Sequence, residues 1–376
     1  MDLLSNSIKI IKSNQHDSGA FIASPSFPTY HYCWLRDGSF IAYAMDIAGE
    51  FETAERYFHW VNDVINRYSI KVDELERKIA NRDAVLPGDF LHTRYTLEGF
   101  EDTQDKNWGN FQIDGYGNWL WALVKHIQLT GRFSLLSEFS DSINTTIKYL
   151  ALVWRNPNYD CWEEHPEYIH PYSLGAVYAG FNAISELCEV TRELKLLHPT
   201  EKLATEVKDF VLRYGVVDST FVKHINPKGK NGTPEPVLES DVDASLLGII
   251  HPFGLVKKDD LVSKKTVAEI ERKLHRQKGG VYRYAKDEYY GGGEWILLSA
   301  WLGWFWMTEG KVEEANEILS WIECKQDARG NFPEQVSDHL LKPTHFHKWV
   351  DHWGNIASPL LWSHAMYILL KNETLK

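Results

Sequence analysis

Two glutamates stand out by their neighbours: Glu163 follows Trp162, and Glu334 follows Phe332-Pro333. An acidic residue at a helix start is ordinarily a cap favoured by the helix dipole, and for Asp37, Asp241 and Asp243 taken singly that reading suffices. It does not account for a carboxyl group set against indole or phenyl rings. Apolar surroundings disfavour the charged form, raise the pKa and suit the group to proton donation near neutral pH. Hydrolysis of a glycosidic bond asks for such an acid to protonate the departing oxygen, and for a second carboxylate to assist attack as nucleophile or through water. Glu163 and Glu334 are therefore the candidate catalytic pair, and the chemistry requires no metal.

Further polar and aromatic segments recur along the chain: Trp34-Leu35-Arg36-Asp37-Gly38, Phe111-Gln112-Ile113-Asp114-Gly115, Trp162-Glu163-Glu164-His165, Glu239-Ser240-Asp241-Val242-Asp243, Arg283 with Tyr289 to Trp295, and Phe332-Pro333-Glu334-Gln335. From them come the candidate substrate-binding residues Trp34, Arg36, Asp37, Asp114, Trp162, Glu164, Arg283, Tyr290 and Trp295. The 15 Trp, 18 Tyr and 17 Phe also suit a sugar ligand, because flat faces with a polar handle match the apolar faces of pyranose rings. A metal would have to lean on His345-Phe346-His347 and His352. That motif lacks a matching carboxylate or cysteine cluster, so no metal and no cofactor is expected.

Helical periodicity dominates the elements that must position these residues. The spacing predicts about twelve helices, near 2–13, 37–49, 52–80, 113–130, 133–155, 170–195, 200–213, 241–250, 258–275, 293–308, 311–326 and 357–372. At Gly49, Gly131 and Gly310 one helix closes and the next opens at once, the mark of a tight antiparallel hairpin with a left-handed cap. The other connections, such as 154–170 and 326–358, are long and rich in Trp, Asp, Glu and Pro. Long loops at one end and tight turns at the other imply a single functional face. Helices before the tight turns are apolar on nearly all sides and those after them are amphipathic, which predicts an inner ring inside an outer one. The expected architecture is an all-α toroid of six helical hairpins, one domain over residues 1–376. A non-enzymatic solenoid would show repeats of fixed length, and there are none.

A net charge of −12 argues against a nucleic-acid partner, since that affinity rests on Lys and Arg neutralising phosphates; the Lys-rich piece 223–230 reads as a solvated loop. Cys33, Cys161, Cys188 and Cys324 form no C-x-x-C pair, which fits reduced thiols in a cytoplasmic protein. The N-terminus lacks the basic start and apolar run of a signal peptide, and no stretch is apolar enough to span a bilayer.

Taken in order, these motifs resemble glycoside hydrolase family 15, the glucoamylase family, which also holds glucodextranases, isomaltose-releasing enzymes and some microbial trehalases. The resemblance runs through Trp34 to Asp37, Trp162-Glu163-Glu164 with Tyr172-Ser173, Asp243 to Leu247 with His251-Pro252-Phe253-Gly254, Arg283 with Tyr290 to Trp295, and Phe332 to Gln335 ahead of Ser358 to His364. It implies an (α/α)6 barrel and inversion of the anomeric centre, with Glu163 as acid and Glu334 as base, roughly 6.5 to 9.5 Å apart. It further implies that Arg36 and Asp37 clamp the terminal glucose while Trp162, Glu164 and Arg283 line the same site. The chain begins just before the first barrel helix and leaves no room for the β-sandwich domain of many relatives, so a short soluble oligosaccharide, α-1,6-linked by preference, is the expected substrate. The alternatives are a trehalase of the same family and an inactive sugar-binding or regulatory protein on the same scaffold. A hexosamine-type epimerase would show His at 163 and 334.

Overall fold

A computed structural model of the chain describes residues 2–102, 108–191, 193–229, 232–239 and 241–376. Arg192, Lys230 and Ser240, which fall within readings above, lie outside the described residues. The helices are α1 (Leu3–Ser13), α2 (Leu35–Ile47), α3 (Phe51–Arg67), α4 (Ser69–Asn81), α5 (Asp114–Thr130), α6 (Ser134–Glu138), α7 (Ser140–Val153), α8 (Pro171–Val190), α9 (Thr200–Tyr214), α10 (Leu247–Ile250), α11 (Leu261–Lys273), α12 (Ile296–Thr308), α13 (Val312–Glu323), α14 (Pro343–Trp353) and α15 (Leu361–Thr374). Strands among the described residues are two-residue ladders only.

Packing closes a ring. α2 lies against α5, α5 against α8, α8 against α10, α10 against α12, α12 against α15, and α15 returns to α2. Outside each stands one partner, respectively α3, α7, α9, α11, α13 and α1. Burial explains the two layers. In α12 every residue from Ile296 to Trp306 is buried, whereas α13 buries only Ala315, Ile318, Leu319 and Ile322. That i, i+3, i+4, i+7 spacing is one stripe of an amphipathic helix, and continuous burial is what a ring helix touched on all sides needs. This is the expected (α/α)6 barrel, and the three tight turns carry left-handed Gly49, Gly131 and Gly310.

The axis of the ring is filled by aromatic side chains. Phe40 sits at the centre, its ring centroid 5.1 Å from Trp301, 5.5 Å from Trp362, 5.8 Å from Trp121 and 6.3 Å from Phe253. Nearby, α5 and α8 approach so closely that a Cβ on Gly117 would stand 2.4 Å from the backbone of Ala176. Backbone cannot yield as a side chain can, so Gly117→Ala is expected to destabilise the fold by about 1–3 kcal/mol, read as a lower denaturation midpoint in urea.

The structure departs from the predicted elements in four places, one being 241–250, where only a 3-10 turn at Ala244–Leu246 and the short α10 form. The segment 52–80 breaks at Tyr68, whose φ/ψ of −105/13 ends α3 and opens α4, and whose hydroxyl accepts the Glu101 N–H at 2.8 Å. Likewise 133–155 divides at Phe139. In the stretch 326–358, read as loop, α14 forms; it carries no fully buried residue and packs on the Tyr289–Gly291 turn rather than on the ring. Its apolar residues Phe346, Trp349, Val350 and Trp353 do recur at i, i+3, i+4 and i+7, a helical stripe that the loop reading of 326–358 passed over.

Candidate active site

The first carboxylate is held by a small rigid turn. Asp160 Oδ1 accepts the backbone N–H groups of Trp162 and Glu164, both at 2.9 Å, an Asx-type arrangement that pins the Trp-Glu-Glu sequence between them. Glu163 adopts a left-handed φ of 68°, uncommon for a residue with a Cβ and tolerated where surroundings over-determine it. Its Oε1 accepts Trp34 Nε1–H at 2.6 Å and Gln112 Nε2–H at 3.0 Å. Trp34 is fixed in turn by the ladder pairing Cys33–Trp34 with Arg94–Tyr95. Both donors act on Oε1, and no donor to Oε2 is found among the described residues.

Glu334 precedes the two-residue strand Gln335–Val336, which pairs with Glu294–Trp295. It is the enclosed member of the pair, 4% exposed. Oε1 accepts the Tyr30 hydroxyl at 3.0 Å, and Tyr30 in turn lies 2.8 Å from the Tyr289 hydroxyl; Oε2 is buried without a partner. Burial pushes its carboxyl up to about 7, held back by the Tyr30 hydrogen bond and the nearby Arg283 cation. Of the two glutamates expected to be enclosed, Glu334 is the one that is buried. Trp162 does not cover its neighbour: its Nε1–H points to both carboxylate oxygens of Asp243, at 3.1 and 3.0 Å.

Arg36 and Asp37, in the first turn of α2, form the floor and are 5% and 7% exposed. The guanidinium lies 3.4 Å from Asp37 and 3.2 Å from Asp114, and donates to Gln112 Oε1 at 2.9 Å. Such pairing is what lets a buried guanidinium stay charged. Burial raises Asp37 to about 6 against the opposing pull of Arg36. Arg283 is gripped by Asp287 through two contacts of 2.8 and 2.5 Å and stands 3.6 Å from Glu164.

These groups surround one cavity of about 820 Å³. Of the sequence-predicted residues, Trp34, Arg36, Asp37, Trp162, Glu163, Glu164, Arg283, Trp295 and Glu334 line it. Asp114 does not: it is fully buried behind Arg36, because the first turn of α5 faces α2 rather than the lumen. Tyr290 does not either. It is wholly buried with φ 49° and donates its hydroxyl to the Gly354 carbonyl, while the tight turn sends its neighbour Tyr289 into the cavity. Sequence reasoning also missed Tyr30, the α14 residues Trp349 and Trp353, and Lys223. Lys223 corrects the solvated-loop reading: it is 7% exposed, 3.1 Å from Asp243 and 3.4 Å from the Tyr284 ring centroid. Asp243 does cap as expected, accepting Ser245 N–H at 2.8 Å, besides holding Trp162. His345 pairs with Glu288 at 3.2 Å. Among the described residues the trio with ligand atoms within 4.8 Å of one another is Asp160, His170 and His224.

The family model described as Glycosyl hydrolases family 15 matches residues 1–344. The chain belongs to glycosyl hydrolase family 15. It is similar to the isomaltose glucohydrolase of Kribbella flavida, 39% identical over 373 residues that cover 99% of this chain and 92% of that one. Among solved structures it is similar to a wild-type glycosidase at TM-score 0.89 and 39% identity, covering 99% of this chain and 96% of the other. A variant glycosidase solved in complex with glucose gives TM-score 0.90 at 38% identity with the same coverage. A bacterial glucoamylase solved with acarbose, at 18% identity and TM-score 0.73, covering 99% of this chain and 55% of that one, shares the family 15 fold. The chain is accordingly a glycoside hydrolase acting on O-glycosyl bonds. No helix among the described residues is long and apolar enough to cross a membrane.

Proposed function

We propose that this chain is an inverting, exo-acting α-glucoside hydrolase that releases β-glucose from the non-reducing end of short α-linked gluco-oligosaccharides, with isomaltose as the leading substrate. The observation that carries this reading is the meeting of Glu163 and Glu334 on one cavity, each with one carboxylate oxygen held by protein donors and one left over. The proton on Glu163 Oε2 passes to the glycosidic oxygen as the C1–O bond breaks. A water held by the Glu334 carboxylate attacks C1 from the opposite face and gives its proton to that carboxylate, which leaves the β-anomer. Arg36 and Asp37 supply a donor fork and an acceptor for adjacent hydroxyls at the closed end of the cavity. The 39% identity to an isomaltose glucohydrolase favours the α-1,6 linkage.

Proton NMR of isomaltose hydrolysis decides the stereochemistry: β-glucose is expected in the first turnovers. Initial α-glucose ends the inverting assignment. The pH profile tests the base. Glu334 must be ionised to accept a proton, and burial lifts it to about 7, so kcat/KM should fall as pH drops through about 7. Tyr30→Phe removes a hydrogen bond that favours the carboxylate and should move that acid limb to higher pH; an unmoved limb would assign it to another group.

Two further readings accompany this one. The main hydrophobic core runs from Ile11 to Leu370, which supports one catalytic domain over residues 1–376. Cys33, Cys161, Cys188 and Cys324 are unpaired, which suits the reducing cytoplasm.

A further inference from the structure

Exposure orders the lining of the cavity. Its floor is the buried Arg36–Asp37 pair, while the side chains of His165 and Glu288 on the same cavity are 42% and 53% exposed and so mark its mouth. In a site that takes a terminal glucose into the closed end, the leaving sugar lies toward that mouth. Against His165 there stands a buried imidazole that the reaction does not use. His224 is 3% exposed yet lines the cavity, with its ring centroid 4.6 Å from His165 and 5.1 Å from Tyr168, on which it stacks.

The hydrogen positions on this imidazole follow from its partners. His170 Nε2 lies 2.7 Å from the Asn158 carbonyl, which can only accept, so Nε2 bears the hydrogen. A neutral imidazole has one N–H, which makes His170 Nδ1 an acceptor. It lies 3.0 Å from His224 Nδ1, which must donate. The hydrogen of His224 is thereby placed on Nδ1, and Nε2 presents a bare lone pair with no hydrogen-bond donor among the described residues. Both rings are kept neutral by burial: His170 is pushed down to about 3 and His224 is lowered too, with the Lys223 cation repelling an added proton at both.

Asp160 brings the two imidazoles to three potential metal ligands. The Lys223 ammonium, 3.9 Å from Asp160 and 3.1 Å from Asp243, already puts a positive charge there and opposes a second cation. The hydrogen-bonded relay is the arrangement the distances describe.

We propose that His224 Nε2 is a fixed hydrogen-bond acceptor for a hydroxyl of the leaving sugar, so that the enzyme discriminates for glucosides whose leaving group is itself a sugar. This rests on the α-glucosidase reading above. The test compares kcat/KM for isomaltose and for p-nitrophenyl α-glucoside, whose aglycone has no hydroxyl, in the wild type, His224→Phe and His224→Gln. In His224→Phe the ratio of the two should fall roughly 3–10-fold, the worth of one neutral hydrogen bond, chiefly through KM for isomaltose; His224→Gln, which keeps an acceptor near the Nε2 position, should recover part of it. Equal losses on both substrates would mean a structural role and overturn the proposal, as would no loss on either. Should His224→Phe fail to fold, isomaltose analogues deoxygenated singly on the leaving ring test the wild type directly: one must lose a similar factor, and if none does the idea falls. Inactivation by EDTA with recovery on adding zinc would replace it with a metal at Asp160, His170 and His224. A wild type that cleaves neither substrate would sink the α-glucosidase reading itself, and this inference with it.

Discussion

Glu334→Ala should abolish turnover on every α-glucoside, whatever its leaving group, with kcat falling about 10³-fold or more. The generality of the loss is the diagnostic part. Water must be activated for each substrate alike, and on the proposed reading the Glu334 carboxylate on the cavity is the group that takes the proton the water gives up. The variant should fold normally. Burial of this carboxyl is a cost to the native state, visible in its rise to about 7, so removing it is expected to leave the melting temperature unchanged or raised. Measured kcat for isomaltose and for α-glucosyl fluoride, beside a thermal melt, checks both statements. Substantial activity on either substrate in a folded variant would remove Glu334 from the mechanism.

Glu163→Gln should instead separate substrates by leaving group. The leaving glucose of isomaltose departs as an alkoxide unless protonated, so loss of the acid should lower kcat/KM about 10³-fold. p-Nitrophenoxide and fluoride leave with little protonation, and for them the loss should stay below about 10-fold. Glutamine preserves the shape of the side chain and an oxygen for Trp34 Nε1 and Gln112 Nε2, so the left-handed turn at residue 163 is not disturbed. Equal losses across the series would assign Glu163 to holding the loop rather than to proton transfer.

Much of this architecture can be read directly from residue patterns, because the signals are local. Glycine stops at 49, 131 and 310 mark the hairpins, and the contrast between the uniformly apolar 296–306 and the striped 312–323 separates ring from rim. What is not legible depends on distant partners or on a single dihedral angle. Tyr30 meets Glu334 across 304 positions of sequence. Lys223 is buried only because Asp160, Glu164 and Asp243 converge on it, so its sequence neighbourhood of Lys and Gly reads as surface. Whether Tyr289 or Tyr290 faces the cavity is decided by the φ of 49° at Tyr290, which no propensity encodes. Asp114 was recognisable as a charged group at a helix start but not as the hidden counter-ion of Arg36.

The aromatic cluster around Phe40 blocks the barrel axis beneath Arg36 and Asp37, and this makes the site a cul-de-sac. A polymer has no tunnel to be drawn through, so each cleavage is a separate visit. On the proposed reading, with the terminal glucose held at Arg36 and Asp37, the shortened fragment lies nearer the opening and departs first, with glucose behind it until the way clears. Free glucose, entering by the same door, then competes directly with the next customer for the innermost seat.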